Sequence, residues 1–173
     1  MTHHRTMRFH VSSWEIGCCS PKPLVGQRLE GYRPLVVPAS PGDGWDDLAE
    51  ELDLDALPPE VRRPDGAHGV VRGFLLGEFH VTEQAPPPPV RGTVLRVRVT
   101  SLDRRLEGRG DTWPNGEPQI CWYPVAGSLR YREVTTPDWE FSPHVPRGDA
   151  AVGDVAPGQE DGVLVDLLLD AAH

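Results

Sequence analysis

Apolar residues recur at every second position in three stretches of this chain, and that period limits the fold more than any other feature. Val71, Gly73, Leu75, Gly77, Phe79 and Val81 share one parity, while Arg72, Phe74, Leu76, Glu78, His80 and Thr82 share the other. Thr93, Leu95, Val97 and Val99 repeat the pattern, with Val94, Arg96, Arg98 and Thr100 opposite. Val163, Val165, Leu167 and Leu169 do so again, alternating with Leu164, Asp166, Leu168 and Asp170. Successive side chains of a strand point to opposite faces, so this period predicts strands with one face on a core. Four further strands are predicted over residues 8–16, 27–37, 119–125 and 129–135. In the first of them Phe9 and Val11 share one parity and Trp14 and Ile16 the other, which a bulge at Ser12-Ser13 would reconcile. Ala126-Gly127-Ser128 reads as a hairpin loop between the last two.

The chain holds 19 Pro and 18 Gly in 173 residues, a density that breaks long helices and favours strands and turns. One short helix is expected, capped by Asp43 or Gly44, with Trp45, Leu48, Ala49 and Leu52 at helical spacing and Asp46 and Asp47 in its first turn. Pro58-Pro59 bars any continuation. The proline run 86–89 reads as a stiff, extended connector. Residues 103–118 and 137–161 read as long polar loops. The expected architecture is mainly β, with about seven strands and one short helix in a small barrel-like (SH3/OB-like) or sandwich arrangement. The length suits a single compact unit over residues 1–173, within which 7–85 and 90–173 form two β-rich halves across the connector.

Charge narrows the partners. No apolar run has the roughly 18 residues of a helical membrane span, so no membrane partner is expected. The net charge is −9, and all but one of the 17 basic residues, Lys22, are arginine. That charge is unevenly spread. Residues 91–132 hold eight arginines against four acids, a net +4, which leaves −13 for the rest. Arg96 with Arg98, and Arg130 with Arg132, put guanidinium pairs on strand faces near Trp113, Trp122, Tyr123 and Tyr131. Basic strands interleaved with aromatics suit single-stranded nucleic acid or another anion. The alternative is a solvated face paired to the acidic remainder of the same molecule.

Three cysteines cannot all pair, and Cys18 and Cys19 are adjacent. A secreted disulfide framework is therefore not expected, and reduced thiols in a cytoplasmic protein are. The first eight residues carry charge without a following apolar core, which agrees with a cytoplasmic location. Cys18, Cys19, Cys121 and His80 are the candidate ligands for Zn or Cu, or the members of a redox site. No CxxC pair is present, and adjacent cysteines on a strand would face opposite ways. The competing role is packing, with one cysteine acting as a small apolar group. Cys nucleophile chemistry needs a histidine within hydrogen-bond reach. His80 with Glu78 is the best offering, but two residues along a strand span about 7 Å, so a neighbouring strand must supply the partner. No GxSxG, HExxH, P-loop or strand-to-helix GxGxxG occurs. The residues point away from an enzyme.

Trp14-Glu15-Ile16-Gly17-Cys18-Cys19-Ser20, followed by Val25-Gly26, resembles the opening of an uncharacterised actinobacterial family. That family carries a Trp, a Cys-Cys-Gly, a Pro-Phe and a Val-Gly-Asp, then an acidic-and-His segment and a strand beginning Gly-x-Val. Gly77-Glu78-Phe79-His80 and Gly92-Thr93-Val94 stand in the later places, whereas Ser20, Lys22-Pro23 and Gln27 depart from the pattern. The resemblance implies that Trp14, Cys18, Cys19, Gly26, Glu78 and His80 belong to one motif; it lends no catalytic residue. Within that motif Gly26 is expected to supply a positive φ at a turn, and Trp14 to plug the end of a barrel. The leading functional expectation is a non-catalytic cytoplasmic binding module acting on a protein partner. A thiolate/His metal or redox protein, and a nucleic-acid or nucleotide binder using the central arginines, are the alternatives.

Overall fold

The structure, a computed structural model, describes residues 5–42, 44–80, 86–141 and 150–170. Among the described residues nine strands form one mixed sheet that curls into a half-barrel. They are β1 (Thr6–Ser12), β2 (Arg28–Glu30), β3 (Arg33–Pro38), β4 (Glu50–Asp53), β5 (Val70–Glu78), β6 (Arg91–Thr112), β7 (Pro118–Pro124), β8 (Arg130–Glu133) and β9 (Val155–Leu169). The main path runs β2-β6-β9-β1-β5-β3. Its first and last strands are consecutive in the chain, linked only by Gly31 and Tyr32, so the sheet must curl to satisfy both ends. Val90 N–H donates to the Tyr32 carbonyl at 2.9 Å, which ties that link to the start of β6.

Alternation explains the core. Met7, Phe9 and Val11 of β1 stand opposite Leu167, Val165 and Val163 of β9, and all six are buried. Val97 and Val99 of β6 complete the layer on the other side of β9, paired with Val165 and Val163. Burying side chains of this kind contributes about 1.5–3 kcal/mol each. Seven residue pairs join β1 to β9, and only His10↔Leu76 joins β1 to β5, in parallel. Strands from both sides of the proline run thus lie side by side: β1 pairs with β9, and β2 with β6.

β6 is long enough to hold four partners. β9 covers one edge, while β2, β8 and β7 follow one another along the other. Ala126-Gly127-Ser128 therefore steps the chain from one stretch of β6 to the next and makes no hairpin between β7 and β8. The first stretch read as a long loop is largely strand, since β6 runs on to Thr112. Of 137–161 only the part from Val155 is strand; residues 137–141 and 150–154 are turn or irregular, and 142–149 lie outside the described residues. Polar sequence misled there because this end of the sheet carries Arg104, Arg105 and Asp161 beside only a few apolar residues.

Two corrections concern helices. The short α-helix is α1 (Ser13–Cys18), not the segment after Gly44. The parity change after Val11 marks its start rather than a bulge, with the Ser12 hydroxyl accepting from Glu15 N–H as the cap. Gly44–Leu48 is a single 3-10 stretch, and the chain then enters β4, so Leu52 is buried from a strand. Asp43, Val81 and Thr82 lie outside the described residues.

Candidate functional site

Three places on this scaffold gather polar or reactive groups: α1 with the residues after it, the outer face of β1 and β9, and a groove along β6.

α1 follows directly from β1 and lies against β9. Its helical geometry turns Glu15 inward, 6% exposed, and leaves Trp14 62% exposed. Trp14 therefore does not plug the barrel. Its ring lies edge-on to His80, with centroids 6.4 Å apart. Cys18 and Cys19 are bonded to each other, Cys18 exposed and Cys19 half-buried. The Glu15 carbonyl accepts both the Cys19 and the Ser20 N–H, at 3.0 and 2.9 Å. Glu15 Oε2 is buried without a hydrogen-bond partner. The fully buried Tyr32 donates its hydroxyl to Ser20 Oγ at 2.7 Å, and burial pushes its pKa up to about 12.

Gly26 takes φ +81° in the turn before β2, as expected of a glycine there, and its N–H donates to Val94 O at 2.8 Å. Glu78 pairs with Arg62 at 3.3 Å. The free thiol Cys121 sits in β7 opposite Glu107. Among the described residues no three His, Cys, Asp or Glu side chains come together in a way that would hold a metal ion. The donor set of Cys18, Cys19, Cys121 and His80 is not assembled for Zn or Cu in this disulfide form.

The outer face of the strands carries a buried polar layer. Asp166 on β9 receives Arg8 from one side at 2.7 Å and Arg98 from the other at 2.9 Å. His10, 1% exposed, reaches across β9 to Thr100 Oγ1 at 3.0 Å. It can do so because residue 162, between them, is glycine: a Cβ there would lie 2.7 Å from His10 Nε2. Trp45 covers the imidazole, with ring centroids 5.5 Å apart. Burial pulls the His10 pKa down to about 4, so the ring is neutral near pH 7. Asp47 holds this cover in place by accepting the Gly127 and Leu129 N–H groups.

The four arginines singled out for anions each face a carboxylate. Arg96 meets Glu133 at 2.6 Å, Arg98 meets Asp166, Arg130 meets Asp103 at 3.5 Å, and Arg132 meets Glu160 at 2.8 Å. The Arg96 hydrogen bond holds the Glu133 carboxyl below the usual carboxylate range. Three of these acids come from outside the positive window and Asp103 from within it, so all four arginines are met inside the molecule.

The third place is a groove of about 380 Å³, lined by residues 24–27 on one side and by 134–137 and Trp139 on the other. It opens where β6 changes partners. Gln27 O accepts from Val94 N–H at 2.9 Å, and Val134 N–H donates to Val97 O at 3.0 Å. Leu95 and Arg96 lie between those attachments. Leu95 is the extra residue of a bulge, since Val94 pairs with Leu167 and Arg96 with Asp166, and it is 47% exposed. Trp139 is 5% exposed, yet its Nε1–H has no acceptor. Lys22 Nζ lies 4.7 Å from the centre of its indole ring, a cation–π contact, and Phe141 meets it edge-on. Sequence reasoning found Gly26 but not the opposite wall, since 134 and 135 fell at the end of the strand predicted over 129–135, whereas β8 ends at Glu133, and 137–139 fell in a predicted loop.

Comparison with protein-family models, with curated proteins and with solved structures gives no match.

Proposed function

We propose that the protein is a non-catalytic binding module that takes a short extended segment of a protein partner into the groove beside Leu95. The place of the groove carries this reading: it lies between the turn through Gln27, bonded to Val94, and the segment from Val134, bonded to Val97. Leu24, Val25 and Pro137 offer the apolar contacts, and a peptide laid along β6 brings backbone groups suited to a strand edge. Ligand pockets of roughly 300–1,000 Å³ with few polar groups are the usual form of such sites. A cytoplasmic location belongs to the same proposal. It rests on the sequence, whose three cysteines cannot make a disulfide framework, although Cys18 and Cys19 are bonded where reduced thiols were expected. The structure adds that no described helix is long and apolar enough to cross a membrane.

The reading is tested by selecting peptides from a displayed library against the full chain and measuring their affinity by fluorescence polarisation. Selected peptides are expected to lose binding to Val25→Asp. They should bind Thr136→Asp, which puts a charge on the opposite, exposed wall, about tenfold more weakly. Peptides that bind both variants as well as the parent would overturn it.

A further inference from the structure

A disulfide stabilises a fold by closing a loop of chain, and the gain grows with the length of that loop. Cys18 and Cys19 are bonded across a sequence separation of one, so their bond closes no loop and joins no two elements. It is also accessible, with Cys18 exposed at the end of α1 and Cys19 half-buried as its cap. A buried staple has neither property. The backbone around the pair is held independently of the sulfurs, because the Cys19 and Ser20 N–H groups both donate to Glu15 O and Tyr32 ties down Ser20. The sulfurs can therefore change state while the chain keeps its path. Cys121, the third sulfur, lies in β7 and takes no part in the bond.

We infer that Cys18 and Cys19 form a thiol–disulfide exchange site whose co-substrate is a dithiol. A thiolate of that dithiol attacks the exposed Cys18 Sγ. The Cys18–Cys19 bond breaks, and Cys19 Sγ leaves with the electron pair and takes up a proton. The second thiol of the co-substrate then loses its proton and attacks its own sulfur in the mixed disulfide. Cys18 departs as a thiolate and is protonated. Two electrons and two protons have passed to the protein, and the dithiol has become a disulfide. Run backwards, the reduced pair reduces a disulfide. Glu15, buried one turn before Cys19 with an unpartnered oxygen, is the polar group set into the inner side of this helix.

The test uses the full chain carrying Cys121→Ser, so that only the pair is counted. The protein is equilibrated in dithiothreitol buffers of varied reduced-to-oxidised ratio and quenched with N-ethylmaleimide, and the labels are counted by intact mass. Molecules with two labels should replace molecules with none as the ratio rises, and the far-UV circular dichroism should not change. In the single variants, treated with glutathione disulfide, whose monothiol cannot resolve the adduct, Cys19→Ser should accumulate a mixed disulfide at Cys18 with release of one glutathione thiol. Cys18→Ser should react on the order of tenfold more slowly, because the remaining sulfur is half-buried. A pair that stays oxidised in excess dithiothreitol would refute the exchange site. So would a pair left as two thiols at the oxidising end, or a reduction that unfolds the chain.

Discussion

His10 shows how one side chain can make a β-sheet sensitive to pH. Its ring is enclosed by Thr100, Trp45 and the bare backbone of Gly162, and Asp161 is the one charged group that favours its protonation. Burial outweighs that charge and holds the folded pKa at about 4, against 6.5 for the free side chain. Above pH 6.5 the ring is neutral in both folded and unfolded chains, so it adds no pH dependence. Below that value the unfolded chain takes up a proton that the folded one refuses. Stability therefore falls as the pH drops from 6.5 towards 4, by roughly 3 kcal/mol for a shift of this size. His10→Gln removes the titration but costs packing at every pH. Urea denaturation should show the parent's advantage over His10→Gln narrowing by about 2 kcal/mol between pH 7 and about pH 4.5. An advantage that stays constant over that range would mean the imidazole is not held neutral by burial.

At the scale of elements, period two was readable wherever a strand was regular and misleading wherever the ladder slipped. The alternation over residues 93–99 puts Leu95 on the same face as Val97 and Val99. The bulge at Leu95 shifts the phase, so that Val94, Val97 and Val99 are buried and Leu95 points outward. A bulge leaves no mark in a hydrophobic pattern that is apolar on both sides of it, as Val94-Leu95 is. The same limit hid α1, where a parity change signalled the end of a strand but its cause, a capped helix, depended on the Ser12 hydroxyl. The candidate sites were legible in part for the same reason. Cys18 and Cys19 announce themselves by residue type, whereas the groove needs β2 and β8 to be brought to the same edge of β6, a long-range pairing that no local pattern encodes. The bulge makes a direct prediction. Leu95→Ala should change stability by no more than about 0.5 kcal/mol, and Val97→Ala should cost about 1.5–3 kcal/mol, in the same denaturation assay. Equal costs would place Leu95 back in the core.

Across the whole molecule, charge and connectivity make one argument. The net −9 conceals a positive middle, and three of its four candidate arginines meet an acid from outside that stretch, while Arg130 meets Asp103 within it. Arg98 and Asp166 make the most enclosed of these pairs, both side chains being 11% exposed, and they join β6 to β9 while Arg8 brings in β1. A surface ion pair contributes little, but removing one partner of a buried pair leaves the other charge without compensation. Asp166→Ala is therefore expected to cost about 3 kcal/mol. The pairing of β1 with β9 and of β2 with β6 says how that loss should spread, because strands from both sides of the proline run share one sheet and one core. If residues 7–85 and 90–173 folded as separate halves, a lesion on β9 would soften the second half and leave the first intact. In an interleaved sheet neither half has a core of its own, so the chain should unfold in one step. Tryptophan fluorescence and far-UV circular dichroism should give coincident urea transitions in the parent, and Asp166→Ala should move both midpoints down together. Separation of the two curves in either protein would show that the halves are independent after all.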